Sequence, residues 1–152
     1  KHADPKRVCV VGGSFGGYLA LATAVRDSAL VKCVVSVAGV SDLLELKSDS
    51  NFFSNHQVVK EMIGKDPVKL KADSPRFNAA SIAVPVLLIH GNDDYTVEVD
   101  QSRFMAEALQ AANKPHQFVV MPDTDHYFRK KQQMHDLFSS ITGFLRAPLA
   151  AQ

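Results

Sequence analysis

The chain has 152 residues, 46% of them hydrophobic, which is enough to bury a sizeable core within one domain. Its 17 basic residues nearly balance 16 acidic ones, so no charge excess points to nucleic acid or a membrane surface, and no apolar run is long enough to span a bilayer. The opening residues, KHADPKRV, carry neither an initiator Met nor a signal peptide, which predicts an interior piece of a longer polypeptide and leaves the compartment open.

Residues 7–12, RVCVVG, predict a buried strand, and Phe15 to about Val25, rich in Ala and Leu, a helix. Residues 31–39, VKCVVSVAG, form a second β-branched run. Cys9 and Cys33 each lie in one of these Val-rich runs and read first as small buried apolar residues. A disulfide between neighbouring strands is the less favoured alternative, because the sequence does not set their distance. A longer irregular stretch follows, helical over 55–64, NHQVVKEMIG. Pro85 opens PVLLIHG, a third strand ending at Gly91, and Met105, Ala108, Leu109 and Ala112 then recur at helical spacing. Residues 116–122, HQFVVMP, make a fourth strand, and Met134, Leu137, Phe138, Ile141, Phe144 and Leu145 mark an amphipathic last helix. Continuous apolar strands separated by helices predict an α/β fold: a mainly parallel sheet of about four strands, covered on both faces as a three-layer α/β/α sandwich.

The turn between the first strand and the first helix reads GGSFGG, with Ser14 among four glycines. A phosphate loop would need Lys and then Ser or Thr after Gly17, but Tyr18 and Leu19 stand there. A dinucleotide loop would need glycines at the first, third and sixth positions, which no register supplies. What remains is Gly-x-Ser-x-Gly at Gly12, Ser14 and Gly16, the pattern of a nucleophile elbow. There a strained serine tops a strand, and side chains two residues to either side are expected to collide with neighbouring backbone.

In open parallel sheets, functional residues gather at the carboxyl ends of the strands. The loop after the third strand reads HGNDDYTV, and the loop after the fourth reads PDTDHYF, with His126. Ser, Asp and His therefore occur in the chain order used by α/β-hydrolases, which differs from the orders in the chymotrypsin and subtilisin folds. Asp93, Asp94, Asp123 and Asp125 also suit turns. His90, His116 and His135 read as packing or surface residues, and His56 has a small claim to meet substrate. No Cys/His cluster has metal-ligand spacing, so neither metal nor cofactor is expected.

The chain resembles the C-terminal half of the catalytic domain of the prolyl oligopeptidase family of serine peptidases, which includes dipeptidyl and acylaminoacyl peptidases. The resemblance is carried by DPKRVCVVGGSFGGYLAL, VVSVAGVSDLL, SPRFNAASIAVPVLLIHGNDDYTVEVDQS and DHYF, and it weakens from Asp49 to Gln57. It implies that the acid lies three residues after Gly91 and three before Val97, on Asp94 with Asp93 as its neighbour. Phe15 stands where many relatives have Tyr, and its backbone N–H is the implied oxyanion donor.

The implied chemistry is acyl transfer to Ser14, with His126 as base and Asp94 orienting it, on a short peptide or acyl-peptide substrate. A carboxylesterase or thioesterase would use the same triad, and a non-catalytic module is the third reading. Phe52 and Phe53 line an apolar substrate pocket or make core or lid contacts, two readings of equal standing, with Val97 implied at the border of the same pocket. The resemblance also implies an eight-stranded sheet in which the elbow strand pairs with an upstream strand. The missing N-terminal half would supply a second oxyanion donor, whose loss lowers rates roughly a hundredfold to a thousandfold. Residues 1–152 are accordingly expected to be a partial catalytic domain of reduced activity. Its elbow-strand edge would be covered by that half, a swapped segment or a second copy in a homo-oligomer.

Overall fold

The computed structural model describes residues 4–49 and 56–150. Four strands, β1 (Cys9–Gly13), β2 (Cys33–Val37), β3 (Val86–Gly91) and β4 (His116–Met121), form one sheet in the order β1-β2-β3-β4. All three pairings are parallel, and they set Cys9 opposite Cys33, Val34 opposite Val86, and Val86 opposite His116. Helices α1 (Phe15–Arg26), α2 (Leu43–Asp49), α3 (His56–Ile63), α4 (Pro67–Asp73), α5 (Asp100–Ala111) and α6 (Lys131–Ala150), with 3-10 turns at Ser28–Leu30 and Pro75–Ser81, complete the described fold. No helix among the described residues is long and apolar enough to cross a membrane.

The alternation of side chains along a strand decides which helix covers which face. Val34, Val86 and Leu88 turn one way, into a core with Ala20, Leu21 and Ala24 of α1 and Met105 and Leu109 of α5. Val35, Leu87 and Ile89 turn the other way, onto Leu137 and Ile141 of α6. Both faces of the central strands are covered, and every residue of β2 and β3 is buried, hence the unbroken apolar runs of a parallel sheet. The edge strands β1 and β4 are only partly covered. Strand ends fall within two residues of those expected from the sequence, the usual uncertainty of element boundaries.

Two features differ from expectation. The stretch between β2 and β3 is more helical than a single segment over 55–64, because α2 and α4 flank α3 there. Both of these helices are set by aspartate caps. The Asp42 carboxylate accepts from the amides of Leu44 and Glu45, and Asp66 accepts from Val68 N–H with Pro67 at the first helical position. Seven residues each are too few to display helical periodicity, so the caps were their main sequence signal.

The second difference is that Cys9 and Cys33 are joined in a disulfide, with Cα atoms 4.7 Å apart, rather than standing as separate apolar residues. The parallel register places them directly opposite one another, and register is not readable from either strand alone. The bond closes a loop of sequence separation 24, so its reduction is expected to destabilise the fold by about 3 kcal/mol through the freed entropy of the unfolded chain. Denaturant melts with and without a thiol reductant measure this; coincident curves would show that the cross-link carries no such weight.

Candidate active site

The C-terminal ends of β1, β3 and β4 carry Ser14, Asp94 and His126 respectively. Ser14 joins β1 directly to α1 with φ 55° and ψ −126°, a conformation an L side chain adopts only when its surroundings impose it. Three features impose it here. The Ser14 amide donates to Val37 O at 2.8 Å, and its carbonyl accepts from Gly17 N–H at 2.9 Å. A Cβ on Gly12 would stand 2.1 Å from the Gly16 carbonyl oxygen, so the strand can approach the returning helix only as glycine. The steric demand expected at Gly16 itself is absent, since a Cβ there meets nothing within 4 Å, and it falls instead on Gly17, whose Cβ would meet Ser36 Oγ at 2.6 Å and Gly39 Cα at 2.8 Å.

The three side chains form one continuous line. His126 Nδ1–H donates to Asp94 Oδ2 at 2.7 Å, and because a carboxylate can only accept, Nε2 is left as the acceptor. Ser14 Oγ–H then donates to His126 Nε2 at 3.0 Å. The ring of Tyr127 packs edge-on against the imidazole, centroids 5.5 Å apart. Asp93 stays outside this line, and its amide donates to Thr124 O.

The side chain of Asp94 has no exposed surface. Burial pushes its carboxyl pKa up, but hydrogen bonds from His126 and His90 and from the amides of Val97 and Thr96 outweigh burial, holding the group well below the ordinary carboxylate range. It is therefore an anion across the neutral range. Thr96 and Val97 amides both reach Oδ1 at 2.9 Å, so the acid sits in a tight turn of its own backbone.

Phe15 opens α1, and its N–H is among the first four of the helix, which have no intrahelical acceptor. Val97 is 5% exposed and packs with Val40, Leu43 and Leu70, and its amide is one of the two that donate to Asp94 Oδ1. Phe52 and Phe53 lie outside the described residues. His116 and His135 bond to Lys114 O and Asp136 respectively, away from the line. His90, read from the sequence as packing or surface, is buried but also lies 3.3 Å from Asp94 Oδ2. Its place four residues before the acid was the only signal in the sequence.

The whole chain, residues 1–152, matches the model of the prolyl oligopeptidase family. Among curated relatives, a dipeptidyl aminopeptidase BIII from Pseudoxanthomonas mexicana is 32% identical over 91% of this chain and 21% of its own length. The peptidase YuxL of Bacillus subtilis is 30% identical over 82% of this chain and 19% of its own length. Among solved structures, a puromycin-hydrolyzing peptidase of Mycobacterium tuberculosis superposes with a TM-score of 0.86 at 29% identity, over 99% of this chain and 23% of that one. The chain thus spans about a fifth of the length of these relatives. The α/β-hydrolase fold and the full-length match agree: the chain belongs to the prolyl oligopeptidase family of serine peptidases.

Proposed function

We propose that this chain carries the catalytic triad of a serine peptidase acting on short peptides or acyl-peptides. The observation that supports the reading above all is the unbroken line Ser14 Oγ, His126 Nε2, His126 Nδ1, Asp94 Oδ2 at the carboxyl edge of the sheet. Ser14 Oγ attacks the scissile carbonyl carbon while His126 Nε2 takes its proton, giving a tetrahedral oxyanion. The Phe15 amide donates to that oxyanion. The proton on Nε2 then passes to the departing amine as the C–N bond breaks, leaving an acyl-Ser14 ester. Water, deprotonated by the same nitrogen, cleaves the ester and restores Ser14. Asp94, buried and anionic, holds the ring in the required tautomer and stabilises the imidazolium of each half-reaction.

We also propose that the active unit continues across the β1 edge. Val8 and Val11 are 40% and 47% exposed there, and with Leu145 and Leu149 they line a groove of about 480 Å³. An open apolar strand edge of this kind favours pairing with further sheet. In this proposal the family's upstream half occupies that edge and would bring the second oxyanion donor.

Three outcomes follow. Ser14→Ala in the full-length protein is expected to lower kcat by roughly four to six orders of magnitude without changing the fold, and to abolish labelling by a fluorophosphonate. Wild-type protein that resists the probe would leave only the non-catalytic reading. Parallel assays on dipeptidyl or acyl-aminoacyl anilides and on p-nitrophenyl esters distinguish peptidase from esterase.

Asp94→Asn is expected to lower kcat roughly ten-thousandfold. Because the folded-state pKa of Asp94 lies below its ordinary 3.8, the stability it contributes is present above that value and is lost as pH falls through the folded one. The contribution of the Asp94 charge to the stability difference between wild type and Asp94→Asn should therefore shrink as pH falls below about 4. Urea melts below about pH 4 test it; a difference that grew as pH fell through that range would contradict the sign.

Residues 1–152 expressed alone are expected to associate or to bind the upstream half, as read by size-exclusion chromatography with light scattering. A stable monomer cleaving peptide anilides at rates normal for the family would refute the proposed continuation.

A further inference from the structure

Asp94 Oδ2 has a second imidazole against it. His90, next to last in β3, is fully buried. Its Nε2 lies 2.8 Å from Val97 O and 3.3 Å from Asp94 Oδ2, and its Nδ1 lies 2.7 Å from Ser102 Oγ on α5. The carbonyl and the carboxylate can only accept, so Nε2 carries the proton, and in the neutral ring Nδ1 is left to accept from the Ser102 hydroxyl. Its neighbours Leu87, Leu88 and Ile89 fill space at the same depth with no polar atoms to satisfy. An imidazole in that position must have both nitrogens paired, and here both are.

We propose that His90 is a positioning residue of the triad: its Nε2–H, held in that tautomer by Ser102, ties the Val97 carbonyl and Asp94 Oδ2 together and so aims the carboxylate at His126. The effect on turnover rests on the serine-peptidase reading above; the tautomer and hydrogen bonds do not. The groups that hydrogen-bond Asp94 are the His126 and His90 imidazoles and the Val97 and Thr96 amides. Those facing His90 are Ser102, Val97 and Asp94. With two imidazole donors on one oxygen, each draws off part of its charge. Removing the His90 donor leaves more of that charge to the bond with His126, which favours the imidazolium. It also leaves the carboxylate less firmly aimed.

The test uses the full-length protein with His90→Phe, His90→Gln and Ser102→Ala. In His90→Phe, kcat is expected to fall roughly tenfold to a hundredfold with KM within about twofold. The acid limb of its kcat/KM profile should move to higher pH, a displacement that mere loss of packing does not produce. His90→Gln, whose amide N–H can occupy the place of Nε2–H, should restore most of kcat and return the limb, and Ser102→Ala should move both in the direction of His90→Phe but less. A folded His90→Phe with wild-type kcat and an unmoved limb overturns the proposal. Nitrogen-detected NMR of the wild-type protein needs no variant and no turnover: an Nε2–H tautomer for His90 with a slowly exchanging proton supports it, and an Nδ1–H tautomer overturns it. A wild type that neither cleaves peptides nor reacts with a fluorophosphonate at Ser14 removes the functional reading and leaves the NMR result to decide the geometry.

Discussion

A carboxylate with no exposed side-chain surface stays charged only if donors replace the water it has lost, and the arrangement around Asp94 follows from that requirement. Two donors come from its own turn, the amides of Thr96 and Val97. The other two are imidazoles, His90 from within β3 and His126 from the loop after β4. The turn cannot relax without uncovering the charge, so the backbone of residues 94–97 is fixed. The Val97 side chain is held by the same turn in a cluster with Val40, Leu43 and Leu70, which ties the acid to the segment between β2 and β3. A structural demand, burying one charge safely, therefore produces the orientation that the proposed proton transfer requires.

Ser14 depends on a different compensation. A backbone at φ 55° on a non-glycine residue costs about 1–3 kcal/mol, more than the single bond from Ser14 N–H to Val37 O returns at about 0.5–1.5 kcal/mol. The remainder comes from α1. Ala20, Leu21 and Ala24 are 0–1% exposed against the sheet, and burying a side chain the size of Leu21 alone contributes about 1.5–3 kcal/mol. That docking requires the close approaches at Gly12 and Gly17, where a Cβ would stand 2.1 Å and 2.6 Å from its neighbours. The glycines around Ser14 thus act by letting the helix reach the sheet, and the packed helix then holds the serine in its strained conformation.

Much of this was legible in the sequence, for a physical reason. Buried parallel strands are largely apolar, so PVLLIHG and VKCVVSVAG announced themselves; the elbow pattern and the Ser, Asp, His order pointed to Ser14 and His126 and left Asp93 and Asp94 open, and the family resemblance chose Asp94 between them. What was not legible depends on relations between segments. The Cys9–Cys33 bond follows from the parallel register, which neither strand encodes by itself. Helices α2 and α4 were hidden because seven residues show no period, although Asp42 and the Asp66-Pro67 pair carried their capping chemistry in plain view. Reading His90 as a packing or surface residue was right only in its packing half, since the ring is fully buried, and it left out the contact with Asp94. A histidine three residues before a loop aspartate pair is a common enough sequence, and only the turn at residues 94–97 brings the carboxylate back against the imidazole.

The strand order adds a geometric problem, and its solution accounts for the shape of the last loop. Neighbouring strands lie about 4.8 Å apart, so the ends of β1 and β4, three spacings apart in this sheet, are separated by about 14 Å. Ser14 Oγ and His126 Nε2 are nonetheless 3.0 Å apart. Residues 122–126 must therefore carry the imidazole back across the end of β3. They do so by lying directly on it: a Cβ on Gly91 would stand 2.1 Å from Thr124 O, and that same carbonyl accepts the amide of Asp93. The turn at Asp123, with φ 48°, reverses the chain out of β4, and the Gln133 side-chain amide caps its carbonyl from α6. Asp94 lies in the loop that leaves the strand being crossed, so the path that brings His126 toward Ser14 also takes it past this carboxylate. With β2 between the serine strand and the acid strand, the five-residue span from Met121 to His126 reaches about 16 Å when extended. A return of this length leaves little slack. Hence glycine at position 91 lets this short loop lie close enough for His126 to meet Ser14.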